Sequence, residues 1–143
     1  MADTFHPKHG GGIQVEFSAS NVAASSSNVA AITASSGSYV TAIHNGWVVG
    51  LSAGANAAFT SGSAGFTVAN NGTAYSDSGS ISLSLGPVSV SGQLIKTYQE
   101  VRPLLMPFSA GDSLAVLVNS SSTLLPNGSV DIQFVLYAIY KDE

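Results

Sequence analysis

Ser80-Ile81-Ser82-Leu83-Ser84-Leu85 alternates hydroxyl and apolar side chains without a break. Period-two alternation sends successive side chains to opposite faces of an extended strand. Ile81, Leu83 and Leu85 are therefore expected in a core, with the serines facing water. Gly86-Pro87 breaks the run, and Val88 and Val90 carry the alternation beyond it. The same grammar recurs in both directions along the chain. Upstream, Ile13, Val15 and Phe17 alternate with Gln14 and Glu16. Tyr39 to Ile43 is apolar and β-branched, and His44-Asn45-Gly46 follows it as a hairpin signal, because Asn and Gly tolerate positive φ. Trp47, Val49 and Leu51 are expected to share one face of the next strand, and Trp47 to join the core. Ala53 to Gly62 reads as a small-residue loop.

Gly65 to Ala69 is a further strand, Asn70-Asn71-Gly72 a second turn, and Thr73 to Tyr75 the return. Gln93 to Arg102 mixes Leu94, Ile95, Tyr98 and Val101 with polar residues. Pro103 and Pro107 forbid a long helix there, leaving one helical turn or an irregular strand. Ser113 to Val118 is a strand, Pro126-Asn127-Gly128 a third turn, and Val130 to Tyr140 a long final strand. Leu114, Val116 and Val118 should face inward, as should Phe134, Leu136 and Ala138. Residues 18–36 are rich in Ser, Ala and Asn, with Val22, Val29 and Ile32 as the available anchors, and read as loop, short strand, loop. Short strands at 8–12-residue spacing with Gly/Asn turns specify an all-β antiparallel sandwich or barrel.

Residues 17–76 hold no Asp, Glu, Lys or Arg. Over the whole chain of 143 residues, charged side chains make up 8%, against about 25% in ordinary soluble proteins. Positions that usually carry Lys and Glu have gone to Ser, Thr and Asn. A surface so poor in charge is expected to be partly covered by copies of itself, and closed symmetry is the usual solution for identical subunits. A closed homo-oligomer is the expectation. A net charge of −4 gives no electrostatic footprint for nucleic acid. No run approaches the roughly 20 apolar residues of a membrane helix, and the first residues lack the apolar core of a secretory signal, so synthesis in a cytoplasm is expected. There is no Cys, hence no disulfide framework.

Two domains of behaviour are expected: an extended N-terminal arm at 1–12, ending in Gly10-Gly11-Gly12, and a β-domain at 13–143. The arm has too few apolar groups for a core of its own. Phe5, His6, Pro7 and His9 suit it to lie extended against another subunit or a capsid, and Pro7 favours extended backbone at the residue before it.

Gly65-Phe66-Thr67-Val68-Ala69-Asn70-Asn71-Gly72-Thr73 resembles a strand and Asn-Gly-Thr hairpin of many phage structural proteins. Phe108-Ser109-Ala110-Gly111-Asp112-Ser113-Leu114-Ala115-Val116 resembles the F-x-x-G-D-x-L-x-V strand start of the same proteins. With the long last strand, these segments resemble the tumour-necrosis-factor-like jelly rolls that form trimers on phage capsids as decoration, or cement, proteins. Similar modules occur in tail-fibre tips. The resemblance implies a jelly-roll fold assembled as a homotrimer, a major capsid protein as partner and a place on the virion surface. The family has no motif of functional residues, so none is transferred.

Chemistry is sparse. His6, His9 and His44 could converge on a trimer axis to hold a metal, but acidic or thiol co-ligands are absent nearby, so no metal or cofactor is expected. No Gly-x-Ser-x-Gly elbow accompanies the abundant serines. Asp77, Glu100, Asp112 and Asp131 are the carboxylates available for a catalytic pair, and Asp77, Asp112 and Asp131 sit where turn chemistry accounts for them. No enzyme is expected. Trp47, Tyr39, Tyr75 and Tyr98 could make a sugar-stacking platform. Asn71, Asn119 and Asn127 head glycosylation sequons that read better as turns. Lys96, Glu100 and Arg102 form the one dense charge cluster before the C-terminus.

Overall fold

A computed structural model of the chain describes residues 12–57, 59–75, 81–86, 95–100 and 106–141, with 95–100 as backbone only. In chain order the strands are β1 (Gly12–Val22), β2 (Val29–Ala30), β3 (Ile32–Thr33), β4 (Val40–Thr41), β5 (Gly46–Ala55), β6 (Ala64–Asn70), β7 (Thr73–Ala74), β8 (Leu83–Leu85), β9 (Ile95–Glu100), β10 (Pro107–Phe108), β11 (Ser113–Ser120) and β12 (Val130–Tyr140). No helix occurs among the described residues.

Two sheets form. The first runs β10-β5-β12-β1-β3, with β9 also on β5, and the second runs β2-β11-β6-β7, with β4 on β11 and β8 on β6. Every pairing is antiparallel. β1, β3, β5, β9, β10 and β12 lie in one sheet and the rest in the other, so the chain passes repeatedly between layers. That is the jelly-roll form of the β-sandwich. β2 and β3 are one extended run that changes sheets at Ala31, which is fully buried and donates its N–H to Val116 O. Strands that bend between sheets make the corners of such sandwiches.

The alternating strands supply the core positions expected of them. Ile81, Leu83, Leu85, Leu114, Val116, Val118, Phe134, Leu136 and Ala138 are all buried. Phe17 pairs with Phe134 across the β1–β12 ladder, and Phe66 of the second sheet meets Phe134 edge to face, with ring centroids 4.9 Å apart. No polar or charged residue is fully buried among the described residues. The turn at Asn71-Gly72 is a two-residue hairpin with φ of 53° and 85°, as its sequence demands.

Four expectations are corrected. Ala53 to Gly62 is not all loop: β5 continues to Ala55, and Ala53 and Ala55 are core residues opposite Phe134 and Ile132. Their small side chains make room for those bulky partners. Asn45-Gly46 does not close a hairpin, because β4 and β5 belong to different sheets. Gly46 is required there for close approach instead: a Cβ would meet Ile139 O, Phe108 Cζ and Tyr140 Cα. In 18–36, β1 extends to Val22, and Ala31 takes the buried place expected of Val29 and Ile32, which are 51% and 42% exposed. The fourth concerns Trp47. β5 holds one extra residue opposite Tyr137/Ala138, and this bulge breaks the alternation. Val48 and Leu51 are both fully buried, so Trp47 and Val49 turn to the outer face, half-buried.

The segment 95–100 is a strand on β5, in register from Gly50↔Glu100 to Ala55↔Ile95. Val88, Val90 and Leu94 lie outside the described residues.

Candidate functional site

The arm residues Phe5, His6, Pro7 and His9 lie outside the described residues, as do Asp77 and Arg102 and the side chains of Lys96, Tyr98 and Glu100. Among the described residues no group of three or more His, Cys, Asp or Glu gathers to hold a metal. His44 instead packs edge-on against Tyr140 at 5.2 Å, and Tyr140 in turn lies against Phe108. Asp131 is tied to its own surroundings, accepting the Asn21 N–H at 2.8 Å while its own N–H donates to Asn56 Oδ1.

Asp112 joins the two segments that carry the phage-protein resemblance. Gly111, at φ 92°, turns the chain into β11. Asp112 Oδ2 then accepts the Ser109 N–H at 2.8 Å and Asn70 Nδ2 at 3.1 Å, while Oδ1 accepts Asn71 Nδ2 at 3.1 Å. Asn71 completes the clasp by accepting the Ser113 N–H at 2.9 Å. The β6–β7 hairpin is thereby locked to the corner between β10 and β11. Tyr75 adds a strut, donating to Pro107 O while accepting from Asn70 Nδ2. Asn70 is ringed by acceptors, and its own Oδ1 is buried without a partner. Burial raises the Tyr75 hydroxyl above its ordinary pKa; the Asn70 hydrogen bond opposes this and the Asp112 charge adds to it. The other sequon asparagines are likewise ties: Asn119 Nδ2 donates to Asn28 Oδ1, and Asn127 Oδ1 accepts the Ala24 N–H.

The Ser109 N–H, then Asn70 and Asn71, hold the Asp112 carboxyl below its ordinary value of 3.8. A depressed folded-state pKa contributes stability that is present above the unfolded value and lost as pH falls through the folded one. Asp112→Asn is therefore expected to lower the urea midpoint at pH 7, with the gap from wild type closing as pH drops below 3.8. A gap that stays constant down to pH 2 would show that the charge of Asp112 contributes nothing.

The outer face of the first sheet carries an apolar band. On β12, Val135, Tyr137 and Ile139 alternate with the buried Phe134, Leu136 and Ala138, and remain half-buried. Trp47 lies opposite Ile139, and Gly50 opposite Tyr137. Tyr137 Oη and Ser52 Oγ are 3.5 Å apart. β5 has no charged residue. The sequence held a signal for this band: from Phe134 to Tyr140 both parities of the strand are apolar, a pattern of strands covered on both faces. Beside β1 and the β2–β3 corner lies a cleft of about 390 Å³, with Val22, Val29, Ile32 and Val118 among its lining. Tyr39 and Ile43 are also exposed, at 53% and 69%.

No family model and no curated protein matches the chain. Similar folds occur among solved structures. The cyanophage Pam1 capsid asymmetric unit superposes with a TM-score of 0.49 at 11% identity, over 98% of this chain and 92% of that one. The CBM36-1 domain of a multidomain xylanase from the hindgut metagenome of Trinervitermes trinervoides gives 0.46 at 10% identity, over 90% of this chain and 96% of that one. The human norovirus GI.7 Houston strain particle gives 0.36 at 15% identity, over 99% of this chain and 33% of that one.

Proposed function

We propose that this chain is a non-enzymatic structural virion protein, a decoration protein that sits on a capsid as a homotrimer and reinforces the shell. The observation that carries the reading is the outer face of the first sheet. A strand apolar on both faces requires cover on both, and the sandwich core covers only one. Trp47, Val49, Val135, Tyr137 and Ile139 remain part-exposed, bordered on β1 by Gln14 and Glu16, the rung partners of Tyr137 and Val135. Contiguous apolar surface of this kind marks interaction sites. The virion role itself draws on the resemblance of the Gly65–Thr73 and Phe108–Val116 segments, which the fold places side by side. In this reading the arm at 1–12 reaches over a neighbouring subunit, the major capsid protein is the partner, and neither nucleic acid nor membrane is engaged.

A second reading is favoured by one specific observation. Trp47 and Tyr137 face outward together, as a sugar-stacking surface would require, which suits a glycan- or receptor-binding tip module of a tail fibre. The two readings differ in stoichiometry. Gel densitometry of purified virions is expected to show a copy number comparable with that of the major shell subunit. A handful of copies per particle favours the tip module. The purified protein is also expected to sediment as a trimer, and a stable monomer at high concentration refutes the assembly reading.

A further inference from the structure

Three Asn-Gly pairs occur in the chain, Asn45-Gly46, Asn71-Gly72 and Asn127-Gly128. An asparagine ahead of glycine can react with its own backbone, because glycine has no side chain to shield its nitrogen or to restrict its φ and ψ. The Gly nitrogen attacks the Asn Cγ, a C–N bond forms, the Cγ–Nδ2 bond breaks, and ammonia leaves with the amide proton. Water then opens the cyclic imide at either carbonyl, giving aspartate or isoaspartate.

In all three pairs the electrophile is prepared alike. The side-chain oxygen of Asn45 accepts the Ala110 N–H, that of Asn71 the Ser113 N–H and that of Asn127 the Ala24 N–H, each at 2.9 Å. A donor at that oxygen stabilises the charge that grows on it under attack. The nucleophile separates them. The Gly128 N–H is committed to Val22 O at 2.9 Å. Gly46 is a rung between Tyr140 and Phe108, and its backbone cannot swing toward Asn45 without dragging β5 out of both ladders. Gly72 sits at the tip of the β6–β7 hairpin. Its N–H has no partner among the described residues, a Cβ on it would meet none of them within 4 Å, and Asn71 beside it is exposed.

What restrains Asn71 is the other hydrogen bond of its side chain. Nδ2 donates to Asp112 Oδ1 at 3.1 Å, and the backbone is pinned by its N–H on Ser113 O at 2.7 Å and held at φ 53°. Ring closure requires Cγ to turn toward the Gly72 nitrogen, which draws Nδ2 off the carboxylate. The carboxylate also opposes the chemistry, since the departing nitrogen must gain a proton to leave as ammonia and an anion offers none.

We propose that Asn71 is a site of spontaneous modification, converted through an imide with Gly72 to aspartate or isoaspartate, and that Asp112 sets its rate. The product reverses the sense of the clasp. A carboxylate at 71 has no hydrogen to give Asp112, so two like charges stand where a hydrogen bond stood. Isoaspartate also lengthens the backbone of a two-residue turn. The tie between the β6–β7 hairpin and the β10–β11 corner is thus released once and not remade.

Full-length wild type, Asp112→Asn and Asp112→Ala proteins are aged in mildly alkaline buffer, and each Asn-Gly pair is followed by peptide mass mapping and isoaspartate-specific methylation. Wild type is expected to react at Asn71 ahead of Asn45 and Asn127. Asp112→Ala is expected to speed Asn71 about tenfold, the fold-change for losing one hydrogen bond to a charged group, with the other two pairs unchanged. Asp112→Asn falls between, and carries the comparison if the alanine variant does not fold. A first reaction at Asn45 or Asn127 overturns the choice of site. Equal acceleration at all three pairs, or none at Asn71, overturns the control by Asp112. The consequence has its own readout: Asn71→Asp lowers the urea midpoint, and combining it with Asp112→Asn, which restores one donor and one carboxylate, recovers most of the loss. No recovery overturns release of the clasp as the outcome of the modification.

Discussion

Phe134→Ala is expected to lower the unfolding free energy by about 3–5 kcal/mol, the upper range for core truncations. Phe134 lies midway along β12, the central strand of the first sheet, and is 1% exposed. Its rung partners are Phe17 on one side and Ala53 on the other. Phe66 reaches it from the opposite sheet with ring planes at 69°, an arrangement that adds to simple area burial. Removing the ring leaves a cavity walled by strands on both layers, which cannot collapse without breaking ladders. Ala53, already minimal, has nothing to move into the space. Urea unfolding should show a lower midpoint with an unchanged slope. A loss below about 1 kcal/mol would mean that the two sheets are not closely packed at this point.

Gly46→Ala should be comparably severe, for the opposite reason. A Cβ there would lie 2.8 Å from Phe108 Cζ and 2.9 Å from Tyr140 Cα, with Ile139 O closer still. Two of these are backbone atoms of β12, and Gly46 is itself the rung partner of Tyr140 and of Phe108. Relief requires β5 to move away from the strands on both sides. Overpacking costs about 1–3 kcal/mol and occasionally more, and immobile backbone neighbours place this site at the upper end. Gly86→Ala is the internal control: a Cβ there meets nothing within 4 Å among the described residues, and a change within about 0.5 kcal/mol is expected. Equal melting temperatures for the Gly46→Ala protein and wild type would show that the β5 start is not held where the structure puts it.

The apolar alternation of Ile81–Leu85, Leu114–Val118 and Phe134–Ala138 was legible without coordinates because a strand's faces follow from parity alone. The same holds for the Asn71-Gly72 hairpin, where positive φ at both positions selects the residues. The doubly apolar character of Phe134–Tyr140 was also present in the letters, and it is the part of the candidate surface that could have been found that way. Parity fails where a ladder gains a residue. One bulge at Val49 sends Trp47 outward and Val48 inward, and no local signal announces it, since a bulge is defined by the strand opposite.

Sequence alone thus established the all-β character, the main core positions and the withdrawal of charge that points to assembly, because each depends on local periodicity or composition. Tertiary structure decided what depends on partners distant in the chain: which layer each strand joins, that Asn45-Gly46 bridges two sheets instead of closing a hairpin, and that Asp112 clasps a hairpin some forty residues upstream. It also decided where β3 ends: the turn after Thr33 takes the chain away from β1, so among the described residues Gly12–Glu16 pairs on the β12 side alone.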